Sequence, residues 1–205
     1  MTWKQAFTSS IGKKLVMGLT GLFLILFLVV HVGISACIFA DLNVPFWPFD
    51  PSDNGAIFNR AAHFMGSTIL IRLLEVGLFA GIILHIVQGI LLELSNRSKR
   101  KQGYAVSLGS RGSKWYSRSM GLLGTLIMIF LILHMAHFWV KARITGDINM
   151  PETNGMHDMF NLMKVTFSEL WVVIVYVLAC ISLAYHLLHG FQSAFQSLGV
   201  NNKFT

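Results

Sequence analysis

An internal repeat of apolar residues constrains this chain more than any other feature. The stretch MGLTGLFLILFLVVH, from Met17 to His31, returns as MGLLGTLIMIFLILH from Met120 to His134. Seven of the fifteen positions are identical, and nearly all the others exchange one apolar residue for another. Each copy ends on a histidine inside an apolar run. Because an ionisable side chain is expensive to place in a membrane segment, a histidine at such a position indicates a functional role.

The composition indicates an integral membrane protein. Hydrophobic residues make up 54% of the chain and charged residues only 12%, and the mean hydropathy is +0.62, which is outside the usual range of soluble domains. A helix needs about 20 apolar residues to cross a bilayer. Four stretches are long enough, and they predict a single all-α domain over 1–205, a membrane helical bundle with helices at about 15–40, 62–94, 120–140 and 165–195.

The basic residues predict the orientation of these spans. Eleven of the 16 lie before the first span, between the second and third, or after the fourth: Lys4, Lys13, Lys14, Arg97, Lys99, Arg100, Lys101, Arg111, Lys114, Arg118 and Lys203. The positive-inside rule makes that side the cytoplasm. We therefore expect a multi-pass protein of the cytoplasmic (inner) membrane with its N-terminus in the cytoplasm. This topology, with anionic lipid headgroups or an acidic partner surface, explains the net charge of +7 without nucleic acid.

A second pair of motifs places histidines in the other two spans. HIVQG begins at His85 and HLLHG at His186, so both have the form H-x-x-x-G. The parallel repeat predicts a pseudo-twofold axis along the membrane normal, with His31 opposite His134. A rise of ~1.5 Å per residue places His85 and His186 nearer the cytoplasm. The glycine one turn after each of them leaves room for a flat group on the same helix face.

Four histidines, one per span and paired at two depths, are what two stacked bis-histidine haems require. Neutral imidazoles fill both axial positions of each iron, which gives an electron carrier. A single membrane histidine is often only a hydrogen-bonding residue between helices, but the symmetric placement of all four favours haem. The repeat selects His134 over His137, whereas in the fourth span His189 leaves the choice open. His137 and His189 are also candidates for a haem propionate or a quinone, and His63 and His157 are expected at the surface or interface.

Two charged residues inside the second span are further candidates. Arg72 and Glu75 are three residues apart, close enough to share a helix face. They form either a self-neutralising ion pair or a functional pair in which Arg72 binds a propionate of the outer haem. A quinone site has two candidate levels: an outer one with Glu75, His137 and Trp139, and an inner one with His189, Gln192 and the basic loop. A carboxylate able to exchange protons from an apolar helix favours the outer level.

These features resemble the cytochrome b subunit of succinate:quinone oxidoreductases and fumarate reductases, in the two-haem b558-type group. The resemblance covers nearly the whole chain and rests on NRAAHFM, on LLE at Leu73–Glu75, on the H-x-x-x-G motifs and on the histidine spacing. It implies that His85 and His186 hold the haem b nearer the cytoplasm, and that His31 and His134 hold the other. It also implies a flavoprotein subunit and an iron-sulfur subunit on the cytoplasmic face.

The resemblance implies electron transfer between the iron-sulfur subunit and a membrane quinone, with no bond-making on the dicarboxylate by this chain itself. Members of that group usually have a fifth membrane helix, whereas this sequence ends soon after the fourth. Two alternatives stay open. One is the cytochrome b anchor of a hydrogenase or formate dehydrogenase. The other is a small transporter with proton-relay histidines, because parallel repeats and membrane histidines occur there too.

Overall fold

The computed structural model describes residues 2, 9–40, 54–99, 114–145, 152–153 and 156–200. These residues are helical apart from short connections and one antiparallel pair of two-residue strands, Glu152–Thr153 (β1) and Met156–His157 (β2). Four helical segments are long and apolar enough to cross a membrane: Ser10–Phe39, Ile69–Ser98, Met120–Thr145 and Leu170–Ser197. The predicted all-α fold of a multi-pass membrane protein is therefore confirmed.

The helices are numbered in chain order. They are α1 (Ser10–Ala36), α2 (Ala56–Ser67), α3 (Ile69–Lys99), α4 (Trp115–Arg118), α5 (Met120–His134), α6 (Met159–Phe167) and α7 (Leu170–Ser197). A 3₁₀ turn, Cys37–Phe39, extends α1. Two π-helical turns, Met135–Trp139 and Lys141–Thr145, extend α5.

Two of the membrane helices begin later than the sequence predicts. Residues 62–67 belong to α2, and extended backbone at Thr68 (φ −74°, ψ 124°) separates it from α3. Residues 165–167 likewise form the end of α6, and α7 begins at Leu170. A hydroxyl side chain lies at each break. Thr68 donates to the Phe64 carbonyl at 2.7 Å and Ser168 to that of Val165 at 2.7 Å, so each hydroxyl satisfies a carbonyl at the end of a helix.

The third membrane helix is longer than predicted, because it continues to Thr145 instead of ending at Val140. The added length is π-helical. A π turn holds more residues than an α turn, so it changes the direction in which the following side chains point, and such turns are frequent at functional sites. The π-helical turns contain His137, Trp139 and Arg143, all of which make polar contacts described below.

The short helices α2 and α6 pack against each other through a hydrogen-bonded corner. Asp158 caps α6 by accepting from the Asn161 backbone N–H at 2.9 Å, and it also accepts from the Asn59 side chain at 2.9 Å. The amide oxygen of Asn59 accepts in turn from the Phe160 N–H at 2.9 Å. Gly55 must be glycine here, because its φ is +84° and a Cβ atom would lie 2.2 Å from the Phe160 ring.

Contacts divide the chain into two compact units. The first unit comprises Met1–Ile25, Phe79–Phe130 and Val177–Thr205; the second comprises Leu26–Leu78 and Leu131–Tyr176. Many large apolar side chains are exposed, Leu26 and Leu178 among them, as lipid-facing helices require. Lys4, Arg100, Lys101, Arg111 and Lys203, which helped to predict the orientation, lie outside the described residues.

Candidate functional site

The first unit contains a pair of facing histidines, His85 on α3 and His186 on α7. Their ring centroids are 6.3 Å apart, and the ring planes are inclined at 68°. Both rings are part-buried. The sequence places these residues at equivalent positions of the two H-x-x-x-G motifs, and the fold brings them together. They are called the first-unit pair below.

The second unit contains the other pair, His31 on α1 and His134 at the end of α5. Their ring centroids are 5.7 Å apart and the rings are almost perpendicular, at 86°. Phe27, one turn before His31, stacks on it at 5.4 Å. Tyr176 and Phe138 lie against His134, at 6.0 and 5.5 Å. This second-unit pair therefore joins the two copies of the sequence repeat and has aromatic walls.

Glycines of the repeat allow the first-unit histidines to approach the neighbouring helices. A Cβ atom added at Gly21 would lie 3.5 Å from Cε1 of His85, and one added at Gly124 would lie 3.8 Å from Cε1 of His186. Gly21 and Gly124 occupy the same position in the two copies of the repeat. Each copy thus presents bare backbone to the histidine of another helix. From the sequence we expected the space for a flat group beside the glycines that follow the histidines. The role of Gly21 and Gly124 was not predicted.

The glycines after the histidines have different surroundings. A Cβ atom at Gly190 would meet no atom within 4 Å in the part of the chain that the structure describes, whereas one at Gly89 would lie 3.3 Å from the Met17 methyl group. The space beside α7 is therefore open at Gly190. Beside α3, the flexible Met17 side chain lies close to Gly89.

The two rings of the first-unit pair differ in their hydrogen bonds. His85 Nδ1 lies 3.1 Å from the Thr20 hydroxyl oxygen. That hydroxyl donates to the Val16 carbonyl at 2.8 Å, so its lone pair accepts from the Nδ1–H of His85. His186 Nδ1 is buried and has no hydrogen-bond partner among the described residues.

The donor set suits a prosthetic group better than a bare metal ion. No group of three or more His, Cys, Asp or Glu side chains among the described residues could hold a metal ion. A pair supplies only two nitrogens, and haem brings the remaining donors with it. Two metal–nitrogen bonds of ~2 Å, plus about 1 Å from each nitrogen to its ring centre, separate the centroids by ~6 Å. The observed 6.3 and 5.7 Å agree with that separation.

The two additional histidines of the third and fourth spans have other partners. His137 stacks on Tyr176 (5.9 Å, 14°), with its Nδ1 3.1 Å from the tyrosine hydroxyl. His189 lies with its Nε2 3.5 Å from the Ser117 hydroxyl. Each of these two histidines therefore makes a polar contact with a hydroxyl group. Neither is a member of the two histidine pairs. Gln192, expected at an inner quinone site, is exposed.

Of the two alternatives for Arg72 and Glu75, the self-neutralising ion pair is wrong, because each side chain has a different partner. Glu75 Oε2 lies 3.3 Å from Arg143 Nη2, and its Oε1 accepts from the indole N–H of Trp139. Arg72 donates to the Gly66 carbonyl at 3.3 Å, and Arg143 donates to the same carbonyl at 2.8 Å. The π-helical end of the third span, which the sequence did not reveal, brings Trp139 and Arg143 to Glu75.

The second unit also contains an open apolar groove of about 470 Å³ between the end of α1 and α6, here named the α1–α6 groove. Its lining is Val32, Ser35, Ala36, Ile38, Phe39, Met163, Lys164 and Phe167. The ring of Phe167 lies 4.8 Å from Tyr176 and 6.2 Å from Phe138. Since both of these rings also neighbour His134, one aromatic layer separates the groove wall from the second-unit pair.

Comparison with known proteins does not identify the family. No family model, no curated protein and no solved structure matches this chain. The geometry of the two histidine pairs is therefore the basis for a function.

The exposed positions of His63 and His157 agree with the surface placement expected for them.

Proposed function

We propose that this chain is a haem b-containing membrane anchor of a succinate dehydrogenase or fumarate reductase, with two haems that carry electrons between an iron-sulfur subunit and a membrane quinone. One observation supports it above the others. Each of two separate histidine pairs draws its members from two different membrane helices, with ring separations of 6.3 and 5.7 Å. A structural hydrogen-bonding role does not require two imidazole rings from different helices to lie at this separation in each unit.

Each histidine pair has the same task in this proposal. His85 and His186 hold one haem b, and His31 and His134 hold the other. When bound, haem supplies reversible one-electron transfer. The helices hold the imidazoles of each pair close together, and the repeat glycines Gly21 and Gly124 leave room for the rings of His85 and His186.

In this proposal the quinone binds in the α1–α6 groove. The groove surface is almost entirely apolar, as the ring and prenyl chain of a membrane quinone require. The cluster around Glu75 was the first expectation for this site. Its case is weaker because Arg143 and Trp139 occupy both oxygens of the carboxylate, which leaves less room for hydrogen bonds to a bound ligand.

A larger side chain at Gly21 should remove one haem. In Gly21→Leu the added carbons compete for space with the His85 ring, which lies 3.5 Å from the Cβ position. We expect haem content to fall by about half, since a displaced axial nitrogen no longer reaches its iron. Gly33→Leu is the matched control on α1, because no described atom lies within 4 Å of its Cβ position. Equal haem content in Gly21→Leu and wild type would contradict this role of Gly21.

Partner subunits distinguish this proposal from its nearest alternative. The full chain, tagged and purified from its membrane in mild detergent, should retain a flavin-bearing polypeptide and an iron-sulfur polypeptide, and the complex should reduce quinone with succinate or reduce fumarate with quinol. A pigmented chain that retains hydrogenase or formate dehydrogenase activity instead would be the anchor of another quinone-linked enzyme.

A further inference from the structure

The symmetry of the repeat is broken at one position beside the first-unit pair. Thr20 in the first copy aligns with Leu123 in the second, and the glycine that follows each of them packs against a histidine. Thr20 Oγ1 lies 3.1 Å from His85 Nδ1. Leu123 is an apolar residue that is only 3% exposed, and His186 Nδ1 has no hydrogen-bond partner among the described residues.

The hydrogen bonds of Thr20 determine which nitrogen of His85 carries the proton. The Thr20 hydroxyl hydrogen points to backbone, with the Val16 carbonyl at 2.8 Å and that of Met17 at 3.2 Å. The hydroxyl oxygen then accepts, and Nδ1 of His85 donates. In a neutral imidazole this leaves Nε2 unprotonated, which is the form that binds a metal.

We propose that Thr20 is a positioning residue. It orients the His85 ring and makes His85 the more basic iron ligand of the two first-unit histidines. The inference rests on the proposed function, since it concerns the haem held by His85 and His186. A hydrogen bond from the far ring nitrogen fixes the tautomer and ring orientation of a metal-bound histidine and raises its basicity as a ligand. Greater basicity stabilises the oxidised iron. Thr20 therefore lowers the potential of the first-unit haem, whose ligand His85 it contacts.

Removal of one hydroxyl tests this directly. Thr20→Val keeps the side-chain shape, and it should shift the redox equilibrium of one haem toward the reduced form by about threefold to tenfold, where tenfold is ~59 mV for a one-electron couple. The affected haem is the one that His85→Ala removes. Its low-spin electron paramagnetic resonance signal should also move, since that signal responds to the orientation of the axial rings. Thr20→Ser keeps the hydroxyl, so the potential of this haem and its paramagnetic resonance signal should stay as in the wild type.

Two further variants on α5 complete the design. Thr125→Val removes a hydroxyl that donates to the Gly121 carbonyl at 2.8 Å, the same backbone interaction without a histidine, and it should leave both potentials unchanged. Leu123→Thr places a hydroxyl at the repeat position equivalent to Thr20, one residue before Gly124, which packs against the His186 ring. It should lower the potential of the same haem.

The possible results separate this inference from the proposed function. Two haems with wild-type potentials and signals in both Thr20→Val and Leu123→Thr would overturn the role of Thr20 and leave the proposed function standing. Equal shifts in Thr20→Val and Thr125→Val would also overturn it. Loss of the first-unit haem alone in Thr20→Val, with rescue by serine, supports it. A wild-type chain without haem overturns both.

Discussion

His85→Ala and His186→Ala should each lower the haem content of the purified chain from two to one, and both should remove the same haem. His31→Ala and His134→Ala should remove the other one. The reason is geometric, since each iron depends on two facing nitrogens from different helices, and the loss of one leaves a coordination position unfilled. Pyridine haemochrome content and redox titration of each variant measure the number and the identity of the haems that remain.

Two other histidines provide the controls for this experiment. His63→Ala changes an exposed histidine on α2, and His137→Ala changes the one that stacks on Tyr176, so both variants should keep both haems. If His134→Ala retained two haems and His137→Ala retained one, the use of the repeat to select His134 would be wrong. If His85→Ala and His186→Ala removed different haems, the pairing itself would be wrong.

Met163→Trp should abolish most quinone-linked turnover and leave both haems in place. Met163 lines the α1–α6 groove, and an indole there takes up space that a quinone ring needs, so we expect a loss of about tenfold or more. Val165→Trp is the matched control, because Val165 lies on the same helix, is not one of the groove lining residues and is 42% exposed. Succinate oxidation by an artificial dye should stay normal in both variants.

Glu75→Gln tests the competing location of the quinone. The glutamine keeps an oxygen for the Trp139 indole and loses only the charge opposite Arg143, so the account expects a small effect on quinone turnover. If Glu75→Gln stopped turnover and Met163→Trp did not, the quinone would bind at the Glu75 cluster. The dye assay and the haem spectra show in either case whether the rest of the protein is intact.

The fold was predictable from the sequence where long apolar runs determined it. All four membrane helices follow from length and hydropathy, because a bilayer requires continuous backbone hydrogen bonding over its full thickness. The breaks at Thr68 and Ser168 were not predicted, because a hydroxyl that bonds a local carbonyl also occurs inside unbroken helices, as at Thr20 and Thr125. The π-helical end of the third span has no compositional signal of its own.

The candidate site was predictable where the repeat related residues to each other. The alignment of the two copies placed His31 opposite His134, and the H-x-x-x-G motifs did the same for the first-unit pair. The partners of Glu75 were not predictable, because they depend on the π-helical turns. Thr20 could have been found, since it is one of two positions, with Thr125, at which a polar side chain in one copy aligns with a leucine in the other.

The central claim is tested most directly by the reduced-minus-oxidised absorption spectrum of the purified chain, with haem and protein quantified in the same sample. The account predicts a b-type spectrum and two non-covalently bound haems per chain, resolved as two steps in a redox titration. A colourless protein, properly folded and inserted in the membrane, would contradict the account and favour a transporter with buried histidines.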